Sequence, residues 1–123
     1  MYQSDLLFYP NSGQAKEHYR FGRITVNRVN ESFVIVYEPY QDALKPLIER
    51  VASPTMRPIL SNLTGFLNSE RRLISIRPDM SEPDALIAVT RVLPENIHIT
   101  TPVETRPRNA VEFAEQKTEF VIA

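Results

Sequence analysis

Phe33-Val34-Ile35-Val36-Tyr37 is apolar at five consecutive positions and β-branched at the middle three. A run with no polar face, too short for a buried helix, is the pattern of a strand covered on both sides in the interior of a sheet. Pro39 ends it, and Asn30 marks the turn before it. Upstream, between His18 and Arg28, the residues Tyr19, Phe21, Ile24 and Val26 change parity at Gly22. A β-bulge at that glycine keeps all four on one face, so this segment is read as a second strand.

Further out, Leu6-Leu7-Phe8-Tyr9 is stopped by the turn formers Pro10-Asn11-Ser12-Gly13 and reads as the first strand, with a loop to about Glu17. After the central strand, Ala43, Leu44, Leu47, Ile48 and Val51 fall at helical spacing. Pro46 is tolerated only in a first turn, which places the helix start near Asp42 or Ala43. A second helix is expected with Thr55 as N-cap, Pro58 at its third position, Met56, Ile59, Leu60 and Leu63 facing the core, and Gly65 as a left-handed C-cap.

Leu73 to Arg77 and Leu86 to Val92 are read as two strands of a hairpin joined by the polar, proline-bounded loop 78–83. Pro94-Glu95-Asn96 connects to an alternating strand, Ile97 to Thr100. Residues 101–108 read as extended, Asn109 and Glu112 have capping-box spacing for a short helix over 110–117, and Glu119 to Ile122 is the last strand. The expected class is α+β: one domain over residues 1–123, a single-layer mixed or mainly antiparallel sheet, two main helices and a short C-terminal one.

Composition narrows the chemistry. A chain of 123 residues with 42% hydrophobic and 24% charged residues supports one core without the low hydrophobicity that leaves chains disordered. The formal net charge is −1 and the two signs are interleaved, so no long-range field gathers nucleic acid or anionic membrane. Only Lys16, Lys45 and Lys117 among the 14 cations are lysine; the arginine excess points to contact surfaces, although genomic base composition produces the same bias. Cysteine is absent, which removes disulfides, thiolate nucleophiles and cysteine-ligated metals. With no positively charged n-region and no apolar run of membrane-spanning length, a cytoplasmic location is expected.

The two histidines, His18 and His98, lie on different strands without a neighbouring carboxylate at ligand spacing. Neither a nucleophile elbow nor a glycine-rich phosphate loop occurs, since Gly13, Gly22 and Gly65 are far apart. Asp79, Glu82 and Asp84 cluster in one loop without the oxygen spacing or central glycine of a calcium loop. The segment from Tyr19 to Val26 differs from an RNA-recognition strand because Arg23 and Val26 stand where aromatics are required. No catalytic residue, metal or cofactor is therefore expected.

Two candidate sites remain. Arg71, Arg72 and Arg91 converge if the 73–77 and 86–92 strands pair, and guanidiniums at one strand end suit a phosphate or a partner's carboxylates. Phe120, Val121 and Ile122 form a terminal strand whose edge invites another strand.

Between Gly65 and Pro94, Arg72, Asp79, the run Asp84-Ala85-Leu86-Ile87-Ala88-Val89 and Arg91-Val92-Leu93-Pro94 resemble part of the small viral anti-CRISPR ring nucleases. That family carries a Gly-His pair before a helix, whose histidine serves cleavage of cyclic oligonucleotides. Tyr37-Glu38-Pro39-Tyr40 stands in the corresponding place here, so the resemblance implies a fold and not the activity. The expected function is a non-enzymatic protein working by protein contact, as accessory, inhibitor or subunit of a homo-oligomer. The alternative is a nucleotide- or nucleic-acid-binding domain built on the three arginines.

Overall fold

The computed structural model describes residues 1–10, 17–30, 32–70, 76–77, 79–105 and 119–122. Three long strands come first: β1 (Tyr2–Phe8), β2 (Tyr19–Val29) and β3 (Ser32–Pro39). Then follow α1 (Gln41–Pro46), a π-helical turn (Leu47–Val51), α2 (Met56–Ser61), α3 (Leu63–Glu70) and α4 (Glu82–Thr90). Three short strands follow among the described residues: β4 (Ile97–Ile99), β5 (Val103–Glu104) and β6 (Glu119–Ile122). The described strands form one sheet in the order β4-β1-β2-β3-β6, with β5 also paired to β1, and each of these pairings is antiparallel. The α+β class with a single sheet is as expected. None of the described helices is long and apolar enough to cross a membrane.

β3 behaves as its unbroken apolar run predicts. Phe33, Ile35 and Tyr37 face the helices in the main core, while Val34 and Val36 pack on the opposite face with Met1 and Val29. Opposite faces at alternate residues follow from the pleat. Asn30, at φ 57°, supplies the left-handed residue of the β2–β3 turn, a conformation asparagine tolerates better than other side chains.

The bulge in β2 lies one residue before Gly22: Leu6 pairs with Gly22 and Leu7 with Arg20, leaving Phe21 as the extra residue. It does keep Phe21, Ile24 and Val26 in one core, with Tyr19 packed against them. Gly22 has a second reason to be glycine. A Cβ there would stand 2.7 Å from Cε1 of Tyr37 and 3.0 Å from the Glu38 carbonyl oxygen, so the Tyr37 ring occupies the space a side chain would fill.

The helical layer departs from expectation in four places. Pro46 is the last of the six residues of α1 and not in its first turn. Lacking an N–H, it cannot continue the ladder, and the chain passes into the π turn, where the Ala52 N–H reaches five residues back to the Leu47 carbonyl at 2.8 Å. Thr55 holds the N-cap position of α2 as expected, but with helical angles and no side-chain bond; the hydroxyl that accepts from the Met56 N–H, at 3.3 Å, is that of Ser53. Gly65 is not a left-handed cap but sits inside α3, where its N–H donates to Asn62 Oδ1 at 3.1 Å; no described glycine has positive φ.

The fourth departure is the largest. Leu86 to Thr90 is helix, so the 73–77/86–92 hairpin does not form. Ser81 Oγ accepts from the Asp84 N–H at 3.3 Å, Pro83 lies in the first turn, and Glu82 and Asp84 place acidic groups at the positive end of the helix dipole. Ala85, Leu86, Ala88 and Val89 are buried at helical spacing. The acidic cluster thus starts a helix, and Glu82 also pairs with the Met1 amine at 3.5 Å and accepts from the Arg28 N–H at 2.6 Å. The strand expected at 73–77 lies largely, and the helix at 110–117 wholly, outside the described residues.

Candidate functional site: the rims of the sheet

β6 docks on β3 with Phe33 opposite Ile122, Val34 opposite Val121, Ile35 opposite Phe120 and Val36 opposite Glu119. In an antiparallel pair, alternate residues direct their backbone N–H and C=O toward the neighbour and the residues between direct theirs away. Among the described residues no strand lies beyond β6, so half of its backbone groups face outward at the rim. Phe120, Val121 and Ile122 lie in β6, the outermost described strand on this side of the sheet.

The opposite rim is built differently. β4 and β5 are three and two residues long, both pair with β1, and Thr100, Thr101 and Pro102 separate them. This backbone is fastened inward. The Asp5 N–H donates to Thr100 Oγ1 at 2.8 Å, the Thr100 N–H donates to the Asp5 carbonyl at 3.0 Å, and the Tyr9 N–H donates to the Asn96 carbonyl at 2.8 Å. Between this rim and the C-terminal half of α4 runs a shallow groove of about 460 Å³ bordered by Ile87, Arg91, Ile97, His98 and Pro102.

Arg91 lies just beyond α4, exposed, its N–H donating to the Ala88 carbonyl at 3.2 Å. Arg71 and Arg72 lie outside the described residues. The strand pairing that was expected to set Arg91 across from position 70 is replaced by helix, so Arg91 has a groove beside β4 as its surroundings.

On the sheet face away from the helices a charged group gathers near β1, β2 and β3. Arg23 pairs with Glu38 at 2.8 Å, Arg20 with Asp5 at 3.4 Å, and the Tyr40 hydroxyl donates to Asp5 at 3.1 Å. The Glu38 hydrogen bond pushes the Arg23 guanidinium further above its ordinary range, and burial followed by the Asp5 charge pushes the Tyr40 phenol up. Both effects keep these groups in their neutral-pH forms, a paired cation and a protonated phenol, and so describe a structural network.

Two features escaped the sequence. His18 and His98 meet at one ring, His18 stacked on Tyr9 at 5.2 Å and His98 edge-on at 4.8 Å. Among the described residues no group of three or more His, Cys, Asp or Glu converges as metal ligands. The Tyr37 phenol is buried and pushed well above its ordinary range by desolvation. Only strand register, invisible in a linear chain, brings these partners together.

No family model, curated protein or solved structure matches the chain.

Proposed function

We propose that this is a non-enzymatic cytoplasmic protein that works through protein contact, and that its first partner is a second copy of itself, joined β6 to β6. The single observation that supports this reading is the position of β6 as the outermost strand, with no described strand beyond it. Edges are ordinarily blunted by charge, proline, bulges or brevity. Phe120-Val121-Ile122 contains neither charge nor proline.

Self-pairing suits this edge because antiparallel addition of a strand to its own copy is isologous: every outward donor meets an acceptor from the same set across a two-fold axis, and the assembly closes. The bonds of a four-residue strand supply a few kcal/mol at about 1 kcal/mol each, against a larger entropic cost of association. Apolar burial beside the strand must supply the rest.

Light scattering across a dilution series tests the reading. The full chain is expected to move from dimer to monomer on dilution, and a chain ending at Lys117 to stay monomeric while circular dichroism confirms that it folds. A full chain that remains monomeric at every concentration defeats the proposal.

A further inference from the structure

Beside the end of β3, where the π turn faces the junction of α2 and α3, lies a cleft of about 530 Å³, within the size range of pockets that hold metabolite-sized molecules. None of its described lining residues belongs to β4, β5 or β6. Leu44, Leu60 and Leu63 give it an apolar lining, and each is buried. Tyr37 and Thr64 also border it. The hydroxyls of both are buried, and neither has a hydrogen-bond partner among the described residues. Tyr37 is only 4% exposed, and its ring packs into the space that a Cβ at Gly22 would occupy. A buried hydroxyl without a partner costs stability in the empty protein, so two of them at one cavity call for a molecule that satisfies both.

The charges decide what kind of molecule. Lys45 and Glu49, four residues apart on the helix, stand exposed at the cleft with opposite signs, and the two buried polar groups are neutral hydroxyls. Burial keeps the Tyr37 phenol protonated, and hence a donor, through the physiological range. An ionised head placed against neutral hydroxyls would lose its hydration without gaining a counter-ion. An amide does not: its carbonyl accepts from a hydroxyl and its N–H donates to another.

We propose that this cleft is a binding site for a small uncharged amphiphile with an amide or related carbonyl head, satisfied by Tyr37 and Thr64, and an apolar body against Leu44, Leu60 and Leu63.

Hexanamide, hexanoate and hexylamine share one apolar body and differ in head charge, so they serve as probes in amide-resolved NMR titrations and thermal shift. Hexanamide is expected to perturb residues 37, 44–49 and 60–64 with a Kd of about millimolar, as fits so few atoms, and to raise Tm. Hexanoate and hexylamine should bind at least roughly threefold more weakly. Tyr37→Phe and Thr64→Val should each weaken hexanamide by roughly three- to tenfold, the loss of one hydrogen bond. Tyr37→Phe should also raise the Tm of the empty protein, because it removes an unsatisfied hydroxyl. The proposal is overturned if hexanamide leaves the cleft resonances unmoved, if a charged probe binds as tightly, or if both variants keep full affinity.

Discussion

At one rim of the sheet the outermost backbone is three residues of β4 and two of β5, split by a proline and fastened inward to β1 by paired bonds between Thr100 and Asp5. At the other rim β6 runs unbroken from Glu119 to Ile122, with its inner groups facing β3 and no described strand beyond it. Both rims flank the same three long strands, so sheet geometry alone does not separate them. What separates them is local chemistry: a proline and two threonines interrupt one edge, while an uncharged apolar triplet continues the other. An edge interrupted in this way stabilises the monomer, and an edge left regular is available to a partner.

The comparison breaks most visibly with proline scanning of β6. Because inward and outward amides alternate, Phe120→Pro and Val121→Pro remove groups from opposite sides of the strand. The variant that loses an outward amide should weaken the dimer by roughly a hundredfold while β6 stays docked, and the other should detach β6 itself. Sedimentation velocity reads the first effect and hydrogen exchange at residues 33–36 the second. A pair of variants that both dimerise normally would place the interface elsewhere.

A substitution between the rims comes next. Gly22→Val puts a side chain where Tyr37 Cε1 lies 2.7 Å from the Cβ position, beside the Phe21 bulge. Overpacking of this kind should cost about 2–3 kcal/mol in urea unfolding, by moving Tyr37 or straining β2. Loss of less than about 0.5 kcal/mol would mean the ring yields freely.

Thr100→Val then sharpens the contrast. It removes the acceptor of the Asp5 N–H at the β4 rim and should cost about 1 kcal/mol of stability while leaving the dimer constant unchanged. An equal effect on dimerisation would join the two rims in function.

The smallest effect at neutral pH belongs to Tyr37, whose position on β3 lies just past the stretch paired with β6. Its phenol is pushed upward from an ordinary value of 10.0 by burial. Below about pH 10 both folded and unfolded chains hold the proton, so the stability is fully present. Above it the unfolded chain releases the proton first, and folding stability falls as pH rises. Unfolding midpoints measured from pH 8 to 11 should decline more steeply in the natural chain than in Tyr37→Phe. Identical slopes would contradict the burial.

Elements written in strict apolar runs or alternation are legible in the sequence: β3 from its five-residue core, the parity change near Gly22, and the strand 119–122 from its apolar triplet. α4 is not, for a definite reason. Ile87, Val89, Thr90 and Val92 are β-branched and Pro83 resembles a loop residue, so local propensity favoured a hairpin. The competing signal was present in Ser81, with Asp84 three residues on and acids in the first turn, and burial against the sheet settles the contest for helix. Pro46 misled in a related way, because a π turn removes the conflict that a proline creates in a regular ladder. The cleft with Tyr37 and Thr64 had no sequence signal at all: its hydroxyls lie in β3 and α3, and only packing shows that neither has a partner among the described residues.

The most direct measurement is amide hydrogen exchange of residues 119–122 at two protein concentrations. If β6 pairs with its own copy, the alternate amides that point away from β3 exchange freely in dilute protein and become protected in concentrated protein, while the inward ones are protected throughout. Outward amides that exchange at the same rapid rate at both concentrations would contradict the account.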